Sequence, residues 1–343
     1  MKTCFFDLNY EELLSILKEW QEPEYRAKQL WNLVYRNLNF VPQNFSNIPK
    51  DLREKLDETF EFQPIKIIRN VSSSNQQANK YLLGLTDGKK IEAVLMRYRE
   101  RTTICISTQV GCAMNCAFCA TGQMGFTRNL TSGEIAGQVF FFVKELEKED
   151  RKLTNLVLMG MGEPFHNYAN VMKGIDLIND PEGFNFGERR ITISTVGIIP
   201  MIEKFTKAKR QINLAVSLHA PTNTIRNQII PINKKYPIED LLAACKAYTD
   251  YTGRRITFEY AMISGLNDSI EQAVQLSKLL RGMLCHVNLI SLNPTRKYDR
   301  TGSSRESINN FYSILDKAGI PCSIRLNRGV DIGAGCGQLL AQA

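Results

Sequence analysis

Apolar residues recur at helical spacing along the first 65 positions: Leu13, Leu14, Ile16 and Leu17, then Leu30, Leu33 and Val34, then Leu52, Leu56 and Phe60. That period predicts a small helical module. From Lys80 the pattern becomes strand-like, with Tyr81-Leu82-Leu83 and Ile91-Glu92-Ala93-Val94-Leu95 on either side of Asp87-Gly88, a hairpin turn signal. Beyond it, short apolar runs alternate with amphipathic stretches. Strands are predicted at 103-107, 155-159, 190-195, 212-217, 255-263 and 285-291, and helices at 132-148, 168-179, 199-208, 237-251, 269-281 and 304-318. The first of these helices opens with Thr131-Ser132-Gly133-Glu134, a capping box, and then sets Ile135, Val139, Phe142, Val143 and Leu146 on one face. Six β/α units in succession predict an α/β fold whose parallel sheet curls into a partial barrel. The polar run Ser72-Ser73-Ser74-Asn75-Gln76-Gln77 reads as a flexible linker. The chain thus divides into a helical accessory domain (1-65), a linker with a hairpin extension (66-98), the barrel (99-330) and a C-terminal loop (331-343).

A chain of 343 residues can bury a substantial core, and 43% hydrophobic with 23% charged residues is an ordinary globular balance. The longest apolar run, Val139-Phe140-Phe141-Phe142-Val143, is far too short for a membrane span, and the amino terminus lacks a charged-then-apolar signal segment. A cytoplasmic protein is expected. The net charge of +8 favours a polyanionic partner, and Arg26, Lys28, Arg36, Lys50, Arg53 and Lys55 could present a basic face on the helical module. Nine cysteines scattered over this length do not form a secreted disulfide framework.

Three of those cysteines carry the chemistry. Cys112, Cys116 and Cys119 stand in a C-x3-C-x2-C run. A cubane iron-sulfur cluster held by only three thiolates leaves one iron open to a small ligand with amino and carboxylate groups, and S-adenosylmethionine is the ligand that fits. A structural zinc site is the alternative, but the nearest histidine is His166 and no second cysteine pair follows. In parallel β/α folds ligands sit at the carboxyl ends of strands, and polar motifs fall there. Gly160-Met161-Gly162-Glu163-Pro164 follows the second barrel strand. Ile193-Ser194-Thr195, Ser217-Leu218-His219 and Leu292-Asn293-Pro294 end the third, fourth and sixth. Taken singly each has a structural explanation; together they point to a polar cofactor pocket. Cys336 lies between glycines in a loop, where a core-filling role is unsuitable. Cys105 could equally be a buried small hydrophobe, and Glu92 a solvated acid on a hairpin.

Together these residues resemble the radical S-adenosylmethionine superfamily, and within it the RlmN/Cfr family of RNA adenine methyltransferases. The likeness runs over nearly the whole chain, through the cysteine triplet, Met161-Gly162-Glu163-Pro164, Ser217-Leu218-His219 and the terminal Cys336-Gly337-Gln338-Leu339. It implies a [4Fe-4S] cluster on Cys112, Cys116 and Cys119, and S-adenosylmethionine on Gly162, Glu163, Ser194, Ser217, Leu218, His219 and Asn293. Two molecules of that cofactor would be used per turnover. One methylates Cys336; the other yields a 5′-deoxyadenosyl radical that takes a hydrogen atom from the methylated thiol, and the resulting carbon radical adds to the adenine. By the same likeness Cys105 resolves the protein–RNA adduct through a transient disulfide with Cys336, and Glu92 accepts the adenine proton. The implied substrate is an adenine of 23S rRNA in the peptidyl-transferase centre, and in some members the adenine 3′ of the tRNA anticodon. Flavodoxin or ferredoxin would supply electrons. Pro164 fits the C2-methylating branch better than the C8-methylating one. The family pattern has Asp and Ala where this chain has Gly333 and Gly335, which predicts a looser cysteine loop. A zinc-stabilised RNA-binding protein without catalysis is the rival class.

Overall fold

A computed structural model describes residues 2–325 and 328–341; Met1, Leu326, Asn327, Gln342 and Ala343, which fall in the ranges above, lie outside the described residues. The helical spacing of the amino-terminal stretch is realised as α1 (Tyr10–Glu19), α2 (Tyr25–Trp31) and α3 (Lys50–Thr59). The Asn9 side chain accepts from Glu12 N while the Glu12 carboxylate accepts from Asn9 N, a reciprocal cap on α1. Two short strands, β1 (Thr3–Cys4) and β2 (Phe60–Glu61), pair in parallel and bring the ends of the module together.

The next three strands, β3 (Ile65–Ser72), β4 (Ala78–Leu85) and β5 (Lys90–Arg97), are antiparallel neighbours. The run 72–77 is therefore a turn inside a hairpin and not a flexible linker: the buried Ser73 hydroxyl donates to Asn75 Oδ1 and accepts from Ala78 N. Polar composition alone did not distinguish a turn satisfied by its own side chains from a solvated tether. On β3 the register slips between Ile67 and Arg69, a bulge on the outermost strand.

β5 joins antiparallel to β6 (Thr102–Cys105), where the parallel part begins. After β6 the chain makes a small ribbon, β7 (Gln109–Gly111) against β8 (Phe126–Asn129), enclosing the short helix α4 (Ala120–Gln123). The parallel series continues through β9 (Asn155–Leu158), β10 (Ile191–Thr195), β11 (Asn213–Ser217), β12 (Ile256–Met262), β13 (Cys285–Ser291) and β14 (Cys322–Arg325). β14 is a seventh parallel strand that the sequence pattern did not mark, because its four residues, Cys322-Ser323-Ile324-Arg325, are too few to show a period. The sheet holds ten strands with β3 and β14 at its edges, so the barrel is open.

The connecting helices α5 (Ser132–Glu147), α6 (Tyr168–Asn179), α7 (Ile199–Lys207), α9 (Ile238–Thr252), α10 (Ile270–Leu280) and α11 (Arg305–Lys317) begin and end within a residue or so of their predicted limits, with α8 (Asn223–Ile229) added between β11 and α9. The capping box at Thr131 and Glu134 forms with both bonds. The module docks on the start of α5: Asp7 Oδ1 accepts from the Ser132 hydroxyl and from Gly133 N. Phe6 and Tyr35 pack their rings on Phe140, at 5.1 and 5.6 Å between centroids. Trp31 Nε1 donates to Asp180 Oδ2 at 2.9 Å. Arg26 and Arg53 are half-buried and hydrogen-bonded to carbonyls within the module, so the basic face expected there is smaller than the sequence suggests.

Candidate active site

Side chains from the carboxyl ends of β9 to β13 converge on one cavity of about 170 Å³, which also meets Cys112, Cys116, Cys119 and Cys336. Gly162, Glu163, Ser194, Ser217, His219 and Asn293 line it, as the sequence reading places them. Leu218 does not: its side chain is fully buried and its carbonyl is taken by a buried arginine.

The cysteine loop is set by its frame. Gly111 has φ +77°, and a Cβ there would stand 1.9 Å from Gly125 O, so the entry to the loop requires glycine. Cys112 N donates to Gly125 O, Cys119 N to Cys116 O, and Ala117 N to Ile229 O at the end of α8. Burial pushes the Cys112 thiol up to about 12 and holds Cys116 and Cys119 above the ordinary thiol range; for Cys112 and Cys116, neighbouring cysteines and Glu163 add to the rise. Three thiols that resist ionisation until a positive centre arrives suit metal binding coupled to proton release. Among the described residues no three Cys, His, Asp or Glu side chains close on a single ion.

The pocket beyond them is mostly apolar, with a few polar groups converging on it. Glu163 is buried; its carboxylate accepts from Phe165 N at 3.0 Å and Val196 N at 2.9 Å, yet burial outweighs these donors and raises it to about 7. His219, with φ +56°, accepts from Ala261 N on Nδ1 at 2.8 Å, and burial lowers its pKa to about 3. It is therefore a neutral imidazole with its proton on Nε2. Asn293 donates to Cys336 O through Nδ2, while its buried Oδ1 has no partner. A carboxylate, an imidazole N–H and an orphan amide oxygen around one cavity fit a zwitterionic ligand with an attached nucleoside.

Cys336 sits where this cavity meets a second one of about 690 Å³ reached from the other end of the barrel. The residue is exposed, but burial of its thiol, with nearby Glu259 contributing, pushes it up to about 11. Cys105, at the end of β6, lines the second cavity, and burial pushes its thiol up to about 12, with Cys336 adding to the rise. The structure thus brings Cys105, Cys336 and Cys119 into one neighbourhood across more than two hundred residues of chain. The loop carrying Cys336 is tied down: Ala120 N donates to Gly337 O at 2.7 Å and the Thr121 hydroxyl to Leu339 O at 2.7 Å. Gly335 does not loosen it, because a Cβ there would meet Asn293 Nδ2 at 2.6 Å; the glycine permits a close approach.

Glu92 is not a solvated acid. It is 2% exposed, with Oε1 3.1 Å from Lys80 Nζ and Oε2 accepting from Leu340 N at 2.8 Å. A cavity of about 680 Å³ opens above it, lined by Arg69, Lys80, Arg296 and Lys297. Sequence reasoning missed Gln109, which accepts from Glu163 N, and Asn267, whose amide bonds His219 O and Ala261 O. It also missed Arg226, which is fully buried and donates to Val196 O, Ser217 O, Leu218 O and Asn233 Oδ1. One signal existed: Arg226 stands three residues before Ile229 on the buried face of its helix, and Ile230 follows at the cap.

An open parallel barrel with a three-cysteine loop after its first parallel strand and a glycine-glutamate turn after its second defines the radical S-adenosylmethionine class. The Radical SAM superfamily model matches residues 106–277, and the model of the ribosomal RNA large subunit methyltransferase N-terminal domain matches residues 4–62. The chain belongs to the RlmN family of radical S-adenosylmethionine RNA methyltransferases. It is 47% identical to a probable dual-specificity RNA methyltransferase RlmN of Dictyoglomus turgidum, covering 98% of this chain and 95% of that one. With the namesake of Chloroflexus aurantiacus it shares 43% over 98% of this chain and 92% of the other. The crystal structure of a radical SAM methyltransferase from Sphaerobacter thermophilus, 47% identical, superposes with a TM-score of 0.97 over 99% of this chain and all of that one. No helix among the described residues is long and apolar enough to cross a membrane.

Proposed function

We propose that this RNA methyltransferase transfers a methyl group to C2 of an adenine in the peptidyl-transferase centre of 23S rRNA, and to the adenine 3′ of the anticodon in tRNA, through a methylated Cys336. The observation that carries the reading is the position of Cys336, at the junction of the cofactor cavity with the cavity lined by Cys105. A cluster bound at Cys112, Cys116 and Cys119 with S-adenosylmethionine beside it supplies a 5′-deoxyadenosyl radical. The protein's residues do the rest.

Glu163, Ser194, Ser217, His219 and Asn293 hold the cofactor's polar groups, and Gly162 lets it approach the backbone. Cys336, as thiolate, displaces a methyl group from one S-adenosylmethionine; the sulfonium carbon–sulfur bond breaks and its electrons stay on the departing sulfur. A second molecule would be consumed in taking a hydrogen atom from that methyl, leaving a carbon radical that adds to the adenine; the adduct would give up one electron, returned to the cluster. Cys105, as thiolate, then attacks Cys336 sulfur; the disulfide forms as the carbon–sulfur bond breaks, and its electron pair stays on the adenine-bound carbon, which takes up a proton to become the methyl group. Glu92 takes the proton from the substituted adenine carbon. Both Glu92 oxygens are engaged in this structure, and one bond comes from Leu340, in the loop that carries Cys336. Movement of that loop would free the carboxylate at the step that needs it. The basic cavity above Glu92 suits an extruded nucleotide with its phosphates on Arg69, Arg296 and Lys297. We place the protein in the cytoplasm, with flavodoxin or ferredoxin as reductant.

The test is nucleoside mass spectrometry of 23S rRNA and tRNA incubated with the anaerobically reconstituted enzyme. 2-Methyladenosine in both is expected. 8-Methyladenosine alone would overturn the regiochemistry, and an unmodified tRNA would remove the second substrate. A colourless preparation with zinc and no iron or sulfide would defeat the whole reading.

A further inference from the structure

We infer that Arg226 is the fixed positive charge that sets the reduction potential of the cluster on Cys112, Cys116 and Cys119. This rests on the assignment of an iron-sulfur cluster to that loop. Arg226 is 0% exposed, and all four of its hydrogen bonds go to uncharged oxygens: the carbonyls of Val196, Ser217 and Leu218 and the amide of Asn233. No carboxylate among the described residues forms an ion pair with it. A buried guanidinium without a counter-charge is expensive, and uncharged acceptors repay only part of the cost of taking it out of water.

Its surroundings say which anion would complete it. The helix bearing Arg226 ends at Ile229, whose carbonyl accepts from Ala117 N, inside the cysteine loop. Ile229, Ile230 and Val196 pack with Met114, Cys116 and Phe118 in one apolar cluster, so little water separates the guanidinium from the loop. The arginine's charge reaches two thiols, Cys116 and Cys245; only Cys116 belongs to the cysteine loop, and it packs with Val196, Ile229 and Ile230. The two acids of the cavity are bonded elsewhere, Glu163 by Val196 N and Phe165 N and Glu259 by Asn288 Nδ2. Three thiolates around iron supply the missing negative charge at Cys116.

The electrostatic consequence has a definite sign. One-electron reduction makes the cluster more negative, so a nearby buried cation favours the reduced form and raises the potential. Cleavage of a sulfonium needs a reduced cluster, and a charge at this position makes that state easier for the electron donor to reach. The competing explanation is a staple: three of the bonds of Arg226 join the ends of β10 and β11, and that alone could keep it.

The two roles separate by spectroelectrochemistry on the full-length, cluster-reconstituted protein, following the one-electron reduced signal by electron paramagnetic resonance. Arg226→Gln removes the charge. Asn233→Asp leaves the arginine in place and pairs it with a carboxylate at the present amide. Both are expected to keep wild-type iron and sulfide content while the reduction equilibrium falls at least tenfold, which is ~59 mV for one electron. Arg226→Lys, which keeps charge but loses most of the bonds, should stay within tenfold of wild type. A wild-type midpoint in either charge-cancelling variant overturns the proposal, as does a Lys variant that shifts as far as Gln. Should Arg226→Gln not fold, Asn233→Asp decides. Absence of iron and sulfide from the wild type would instead defeat the cluster assignment itself.

Discussion

Glu163 is poised between two ionisation states, and its proposed contact with the cofactor's ammonium predicts pH-dependent cofactor binding. Burial raises its carboxyl to about 7, against the backbone N–H groups of Val196 and Phe165 that favour the anion. Because the folded value lies above the unfolded one, its contribution to the stability of the free protein is complete below the ordinary carboxyl range. It is lost as pH rises through about 7. A cofactor ammonium needs the anion, so binding must release the residual proton. S-Adenosylmethionine affinity is expected to fall about tenfold for each pH unit below 7 and to level off above it. Equilibrium binding at several pH values reads this directly; a flat profile across pH 6 to 8 would remove Glu163 from the ammonium site. The cysteines divide just as sharply. Cys116→Ala is expected to lose iron and sulfide, whereas Cys336→Ala keeps them and loses RNA methylation. Retained methylation in Cys336→Ala would end its role as methyl carrier.

Elements explain why some of the site was legible and some was not. The cysteine loop must enter through Gly111, so Gly111→Ala should leave the barrel helices folded while iron content after reconstitution drops severalfold. Full iron loading in that variant would show that the loop can be rebuilt another way. Thr121→Val, which removes the hydroxyl bond to Leu339 O, should speed proteolytic cleavage around 335–340 with no loss of helical circular dichroism. Legibility follows from the same geometry. That Cys112, Cys116, Cys119 and Glu163 meet at one cavity could be anticipated because ligand chemistry asks for certain residue types close together in sequence or at strand ends. The limits of α5, α6 and α9 could be read because caps and apolar stripes are local. Glu92 looked solvated because its partners, Lys80 and Leu340, come from another strand and from the far end of the chain. Arg226, Gln109 and Asn267 act on backbone atoms of distant loops, and no spacing rule encodes that. β14 is only four residues long and pairs with β13 through its backbone, so its strand character is set by its neighbour more than by a local pattern.

At the scale of the whole molecule, the helical module and the barrel share one aromatic seam around Phe6, Tyr35 and Phe140. The two tryptophans, Trp20 and Trp31, both lie in the module, so indole fluorescence reports on it while circular dichroism is dominated by the barrel. In urea the two signals should change together in the wild type. Phe140→Ala, costing about 3–5 kcal/mol at a buried phenylalanine, should separate them, with fluorescence lost first. Coincident transitions in the variant would mean that the module is held elsewhere, for example by Asp7 at the start of α5. The barrel's openness also has a cost that the chain meets at its outermost strand. β3 presents Ile67 and Ile68 nearly half exposed on a free edge, which is the arrangement that invites a second molecule to add a strand. One extra residue breaks the hydrogen-bonding register at that point, and Lys66 and Arg69 place a cation on each side of the isoleucine pair. An approaching copy would bring the same two charges against them. The bulge and the two flanking charges on this edge strand therefore oppose strand addition at the open side of the sheet.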